Sequence, residues 1–107
     1  MRQKPVVRRR RADDDIEATL AYYLNEAGPE VVADFVDRLE EALKRISRRP
    51  GVGSPRYGHV IQISELRSWP IKSFPYQIYY LEKTDHIELS RVLHSSNDVP
   101  SWLNDVE

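Results

Sequence analysis

Two strands are predicted in the last third of the chain, Phe74-Pro75-Tyr76-Gln77-Ile78-Tyr79-Tyr80-Leu81 and Ile87-Glu88-Leu89-Ser90-Arg91-Val92-Leu93-His94. Both combine β-branched and aromatic residues, which suit a pleated and half-buried surface. The segment between them, residues 82–86, contains no apolar residue and reads as a turn. The two runs are therefore interpreted as neighbouring strands of one hairpin.

A charged residue, Arg91, interrupts the apolar pattern of the second strand, and His94 closes it. A charge on an apolar strand is either paired or part of a site, because an unpaired buried charge is very costly. The favoured interpretation is a paired arginine, bonded to a helix carboxylate such as Asp15 or Glu17 or to the C-terminal tail. His94 is interpreted as a residue that ends the strand with a backbone hydrogen bond.

The segment that precedes this hairpin predicts a loop and a third strand. Residues 49–55 hold two prolines and two glycines, which predicts a turn-rich loop without the Gly-Lys-Ser/Thr signature of a phosphate-binding loop. Residues 66–72 read as a strand in which Pro70 indicates an edge position or a bulge. The central strand, 76–81, is apolar on both faces, so the pattern leaves open which face of the sheet is uncovered.

The first half of the chain predicts a short strand and two helices. Val6-Val7 suits a strand, and from Asp13 the apolar residues follow a helical period, with Asp13 or Asp14 as the expected cap. Gly28-Pro29 ends this helix and begins a second one. The second helix has one apolar stripe, formed by Val32, Phe35, Val36, Leu39, Leu43 and Ile46. Its charged residues are interpreted as a solvated face, and the short connection predicts an antiparallel helical hairpin.

The order strand-helix-helix-strand-strand-strand predicts an α+β fold in which a small antiparallel sheet packs on the N-terminal helical hairpin. A length of 107 residues suits one domain, residues 1–107, with a C-terminal tail at 95–107. Trp102 in this tail either packs on the domain or stays unpacked. The chain has 16 basic and 17 acidic residues, and this balance argues against a nucleic-acid-coating protein.

Cofactor chemistry and membrane insertion receive no support from the composition. The chain has no cysteine, and its three histidines, at 59, 86 and 94, lie in separate segments, so no metal site and no cofactor are expected. No apolar run approaches membrane-spanning length, and the N-terminus lacks the apolar core of a signal peptide. A soluble cytoplasmic protein is expected.

Several short motifs, taken together in order and spacing, resemble the ParE branch of the RelE/ParE toxin superfamily from about residue 5 to about residue 98. They are Ala12 with Asp15-Ile16 and Tyr22-Tyr23, Arg49-Pro50 and Gly53, Leu66-Arg67, Phe74-Pro75-Tyr76 with Ile78-Tyr79-Tyr80, and Arg91-Val92-Leu93-His94. The fold that the resemblance implies, a small antiparallel sheet on a helical hairpin, agrees with the order of elements given above.

The resemblance implies the toxin of a type II toxin-antitoxin module, such as those that stabilise plasmids, neutralised by a cognate antitoxin that wraps around it. ParE-like members act on DNA gyrase by binding, whereas RelE-like members cut messenger RNA on the ribosome. An inactive scaffold that only joins its antitoxin on operator DNA is a third class that stays open.

A ribonuclease would need a base, an acid and a cation at the phosphate. If the chain were one, Arg67 and Arg91 would hold phosphate, His94 would act as base or acid, and Tyr76 would assist. The sequence departs from the RelE pattern, because Ser95 rather than tyrosine follows His94 and only Lys72 and Lys83 supply lysines after residue 60. No catalytic residue is therefore assigned.

The preferred prediction is a ParE-like toxin that inhibits gyrase by binding, with a RelE-like ribosome-dependent endoribonuclease as the alternative. Its partners would be the antitoxin, in a hetero-oligomer, and gyrase, without direct nucleic-acid binding outside such a complex. The strand aromatics are interpreted as core and contact residues rather than base-stacking platforms. The candidate antitoxin- or target-binding residues are Trp69, Tyr76, Tyr79, Arg67, Arg91, His94 and Trp102.

Overall fold

A computed structural model describes residues 3–96 of the chain. Its elements are β1 (Val6–Arg8), α1 (Arg10–Glu26), α2 (Pro29–Arg48), a 3-10 turn (Pro50–Val52), α3 (Arg56–Ile61), β2 (Leu66–Pro70), β3 (Tyr76–Glu82) and β4 (Ile87–His94). The predicted α+β class is confirmed, and the α1–α2 hairpin packs on the sheet. The predicted tail lies outside the described residues from 97 onward, and so does Trp102.

The sheet has the strand order β1-β4-β3-β2. The strands β2, β3 and β4 form an antiparallel meander, as predicted, but β1 pairs with β4 in parallel, with Val6 opposite Ile87. The sheet is therefore mixed rather than antiparallel throughout. A parallel pair needs a long crossover, and the chain supplies one because three helices and two strands separate β1 from β4.

Helix α1 begins three residues earlier than the sequence predicts. Arg9 is its N-cap residue and makes no side-chain cap bond, so the expected cap at Asp13 or Asp14 is wrong; Asp13 lies within the first turn. The backbone N–H of Arg9 donates to Leu89 O at 3.0 Å, so the helix starts while the chain is still attached to β4. The junction at Gly28-Pro29 is as predicted, with Pro29 as the first residue of α2.

The two faces of the sheet carry separate apolar clusters. The α1–α2 hairpin covers one face, where Phe35 and Ile46 pack with Ile78, Tyr80 and Leu89. The other face holds Leu66, Tyr79, Leu81 and Leu93, packed against Tyr57, Ile61 and Ile63. Helix α3 and the loop after it therefore cover the second face, which the sequence pattern left open.

Helix α3 was not predicted, and Gly58 shows how closely it lies on β2. A Cβ atom at position 58 would stand 2.7 Å from Leu66 O and would also overlap Ile63 O. Both neighbours are backbone atoms, which cannot turn aside as a side chain can. This close approach requires glycine, and it lets a helix of only six residues seal the Tyr79 side of the sheet.

Strand β2 lies at the edge of the sheet, as Pro70 indicates, but its outer edge is closed. The N–H of Leu66 donates to Ile63 O, and Ser68 exchanges two backbone hydrogen bonds with Ser54 at 2.8 and 2.9 Å. Pro70 has no N–H to offer. A partner that approaches this edge must therefore dock through side chains rather than add a strand.

Candidate functional site

Arg91 is a paired and buried arginine, which confirms the interpretation favoured from the sequence. Its side chain donates to both carboxylate oxygens of Asp15, from Nε at 2.8 Å and from Nη2 at 2.9 Å. The backbone N–H of Val92 donates to the same carboxylate at 2.9 Å. Arg91 is 4% exposed. The guanidinium therefore joins α1 to β4 instead of facing a substrate phosphate.

A β-bulge in β4 sets the position of Arg91. The pairing with β3 changes between Tyr79 and Tyr80, which lie opposite Arg91 and Leu89, so Ser90 is the extra residue. A bulge of this kind re-aims the side chains that follow it. The irregularity explains why Arg91 does not continue the simple alternation that the sequence pattern indicates for this strand.

Arg67 stabilises the loop after α2. Its Nη1 donates to Gly53 O at 2.8 Å, and the N–H of Gly53 donates to the Tyr80 hydroxyl at 2.9 Å. The Tyr80 hydroxyl in turn donates to Pro50 O at 2.6 Å. Burial raises the pKa of the Tyr80 phenol above its ordinary value, so the hydroxyl keeps the proton that this bond needs. Arg67 and Tyr80 thus fasten the loop to the sheet.

Tyr80→Phe is expected to lower the free energy of unfolding by about 1–3 kcal/mol, because it leaves the N–H of Gly53 and the carbonyl of Pro50 without their partner. Urea denaturation followed by circular dichroism measures the loss. Tyr22→Phe is the matched control, since Tyr22 is 58% exposed and its hydroxyl should matter by no more than about 0.5 kcal/mol. Equal losses in the two variants would show that the loop is held by other contacts.

Tyr76 and His94 lie opposite each other at one end of the β3–β4 pair. Their rings meet edge to face, with centroids 5.1 Å apart. The Nδ1 atom of His94 accepts a hydrogen bond from the backbone N–H of Ser96 at 3.1 Å, and the Ser96 hydroxyl lies 2.7 Å from the same nitrogen. The predicted role of His94 in ending the strand through a backbone hydrogen bond is confirmed.

The four residues named for a ribonuclease do not form one cluster. Tyr76 and His94 contact each other, but Arg67 is directed to the Gly53 loop and Arg91 to Asp15. Along β3, the residue opposite Arg91 is three positions from Tyr76, which is about 10 Å at 3.3 Å per residue. The structure therefore separates the acid-base pair from both cations that would hold a phosphate.

Three of the predicted contact residues lie inside the domain rather than on its surface. Tyr79 has 0% exposure because α3 places Tyr57 against it, with ring centroids 5.7 Å apart. Arg91 is buried by its pairing with Asp15. Tyr76 is also buried, whereas Arg67, Trp69 and His94 keep partial exposure and stay contact candidates.

A concave surface lies between α2 and β2, and we call it the basic groove. It encloses about 470 Å³ and is lined by Arg38, Glu41, Ala42, Lys44, Arg45, Arg48, Trp69, Pro70 and Lys72. Five cations and one carboxylate give these residues a net charge of +4, in a chain whose net charge is -1. The guanidinium carbon of Arg45 lies 5.9 Å from the centre of the Trp69 ring, a cation–π distance.

The sequence predicts Trp69 as a contact residue but does not indicate the α2 cations that lie beside it. The α2 residues that line the groove include positions 38, 41, 42 and 45, which share one helix face by their spacing of three and four. That spacing is visible in the sequence. Their apposition to β2 is not, because it depends on how the helix crosses the sheet.

The described residues offer neither a cluster of metal ligands nor a membrane-spanning helix. Between residues 3 and 96, no three histidine, aspartate or glutamate side chains come together as a metal site would require. In the same range, no helix combines the length and apolarity needed to cross a membrane.

Comparison with known proteins identifies related sequences and structures. Residues 6–99 match the family model of the ParE toxin of type II toxin-antitoxin systems, parDE. Among solved structures, the chain is similar to one from the chromosomal ParDE toxin-antitoxin system of P. aeruginosa, with a TM-score of 0.72 and 20% identity. The match covers 86% of this chain and 96% of that one, and at this identity it shows a shared fold. No curated protein matches the sequence.

Proposed function

The chain belongs to the family of ParE toxins of type II toxin-antitoxin systems, and on that premise we propose that it inhibits DNA gyrase by binding and is neutralised by a cognate antitoxin. Such a toxin acts through a surface rather than through a catalytic group and needs no cofactor. Its targets lie in the cytoplasm, where we expect it to act, and plasmid stabilisation is a role consistent with such a module.

One observation carries the choice of binding over RNA cleavage: Arg91, a candidate phosphate ligand, is bonded through two nitrogens to Asp15. Attack by a ribose 2′-hydroxyl places negative charge on the phosphate, and a cation must be free to meet it in the transition state. A guanidinium that is buried and engaged with a carboxylate does not meet this need. Arg67, the other candidate, is directed to Gly53 O.

The contact between Tyr76 and His94 supports the alternative of a ribosome-dependent endoribonuclease. The two rings could in principle supply an acid and a base, but Nδ1 of His94 already accepts a hydrogen bond from Ser96. The remaining ring nitrogen would have to act alone. Cleavage of messenger RNA is therefore the result that would replace gyrase binding as the proposed function.

Purified toxin is expected to abolish supercoiling of relaxed plasmid DNA by gyrase and ATP at micromolar concentration. Prior mixing with the protein from the adjacent antitoxin reading frame should restore supercoiling. Asp14→Ala is the matched variant and should inhibit gyrase as well as the unchanged chain, because Asp14 is exposed on α1 and is not one of the contact candidates.

A translation extract supplies the opposing test. If gyrase is unaffected and messenger RNA on ribosomes is cut in a reaction that His94→Ala and Tyr76→Phe abolish, the endoribonuclease replaces the binding toxin. If neither gyrase nor messenger RNA responds, the proposal also fails. Arg91→Ala is unsuitable for this comparison, because it breaks the pair with Asp15 and disturbs the fold.

A further inference from the structure

The basic groove holds cations that form no ion pair with any acidic residue in the described part of the chain. Within residues 3–96, Lys44, Arg45, Arg48 and Lys72 form no ion pair, whereas Arg38 pairs with Asp34 and Glu41. All four of these unpaired cations are exposed. Four unpaired cations around one concave surface create a local positive potential that favours an anionic occupant.

Repulsion within α2 points to the same conclusion. Lys44 and Arg48 are four residues apart and Arg45 and Arg48 are three apart, so like charges face each other on the helix. Such pairs destabilise an isolated helix, although their place near the C-terminus of α2 is favourable for the helix dipole. A bound acid would relieve this repulsion.

The groove is not purely electrostatic, because its lining includes apolar surface. Trp69, Ala42 and Pro70 contribute to it, and Arg45 lies over the indole ring. A volume of about 470 Å³ is that of a typical binding pocket and accommodates a few side chains. The occupant that fits carries acidic groups together with at least one apolar side chain.

The shape of the groove favours a peptide segment. Residues 38–48 of α2 extend over about 15 Å at 1.5 Å per residue, the length of a short docked segment. The closed outer edge of β2 excludes strand addition there, so contacts must come from side chains. The net charge of -1 for the whole chain disfavours a long nucleic-acid backbone, which would meet acidic surface outside the groove.

We infer that the basic groove binds an acidic segment of the antitoxin that places an apolar side chain on Trp69. The inference rests on the proposed function, since it takes an antitoxin as the partner. It adds the location and the chemistry of the contact. The segment is recognised by its carboxylates, which pair with Lys44, Arg45, Arg48 and Lys72, and by its apolar anchor.

Isothermal titration of the protein from the adjacent antitoxin reading frame tests the inference. The double substitution Arg45→Glu and Arg48→Glu is expected to weaken binding by about 100-fold, because it places repulsive charges against the acidic segment. The matched control, Arg10→Glu with Lys83→Glu, reverses two cations elsewhere on the chain and should change affinity less than about threefold. The neutral double substitution, Arg45→Gln with Arg48→Gln, should give an affinity between those of the charge-reversed groove variant and the control.

The outcomes separate this inference from the proposed function. If the antitoxin fails to bind even the unchanged toxin, the proposed function loses its partner and the groove inference falls with it. If the antitoxin binds the unchanged toxin and the groove variants equally well, the groove inference alone is overturned. Circular dichroism on each variant checks that a loss of binding does not reflect unfolding. If the Glu double variant fails to fold, the Gln double variant replaces it in the test.

A fluorescence experiment needs no antitoxin. Trp102→Phe leaves Trp69 as the single tryptophan, which reports on the groove. A synthetic peptide of alternating glutamate and leucine is expected to change the Trp69 emission in a saturable way. Salt should reduce this change, because it screens the attraction between the glutamates and the groove cations. An equal peptide with lysine in place of glutamate should give no change. Tighter, groove-dependent binding of a duplex DNA oligonucleotide than of the acidic peptide would overturn the assignment to a peptide.

Discussion

Asp15→Ala is expected to lower the free energy of unfolding by about 3–5 kcal/mol, the range for breaking a buried ion pair by removing one partner. The carboxylate accepts hydrogen bonds from Nε and Nη2 of Arg91 and from the backbone N–H of Val92. The substitution removes all three at once and leaves a buried guanidinium with its charge uncompensated by that carboxylate. Urea denaturation at neutral pH measures the difference.

Asp14→Ala is the matched control, because Asp14 is the preceding residue of α1 and is exposed. It should change the free energy of unfolding by no more than about 0.5 kcal/mol. The double variant Asp15→Leu with Arg91→Met should recover much of the loss, since replacing both partners by apolar groups removes the buried guanidinium together with the carboxylate. A loss for Asp15→Ala as small as that for Asp14→Ala would show that Arg91 does not depend on this pair, and a phosphate role would then be open again.

The pairing of Arg91 illustrates what the sequence could predict. A charge among apolar strand residues limits the possible environments to a pair or a site, and Asp15 was one of few carboxylates near the start of the first helix. The helical hairpin was predictable for a similar reason, because one apolar stripe and a Gly-Pro junction determine it locally. In both cases the residues that determine the feature can be recognised in the sequence without knowledge of the fold.

Features that depend on distant contacts escaped the sequence analysis. Helix α3 has only six residues, too few for an apolar period, and it is stable because Gly58 lets it approach β2. The parallel pairing of β1 follows from the path of the whole chain back to β4. Neither is encoded in a local pattern, so neither could be read from one.

The candidate site was partly predictable for the same reason. Trp69 was recognised from its residue type, whereas Arg45 and Arg48 were assigned to a solvated helix face. That assignment correctly described their exposure, yet it could not show that β2 lies beside them. Tyr79 was predicted to contact a partner, but it is buried. The alternation of β3 predicts which residues share a face of the sheet, but it does not show that α3 covers the face that holds Tyr79.

Phe35→Ala is expected to lower the free energy of unfolding by about 3–5 kcal/mol, because it leaves a cavity at the centre of the aromatic packing between α2 and the sheet. Phe35 has 0% exposure. Its ring centroid lies 5.1 Å from that of Phe74, 5.7 Å from that of Tyr76 and 5.8 Å from that of Tyr23. The first two contacts are edge-to-face, which adds stabilisation beyond the buried area.

Phe35→Leu and Leu24→Ala serve as controls for this prediction. Phe35→Leu keeps most of the apolar volume and should lose less stability than Phe35→Ala. Leu24 is 58% exposed, so Leu24→Ala should change stability by no more than about 0.5 kcal/mol. Because Phe35 acts through packing, the gyrase inhibition that we propose should be unchanged per folded molecule of Phe35→Ala. A stable Phe35→Ala variant that no longer inhibits gyrase would instead place these aromatic rings in the binding surface.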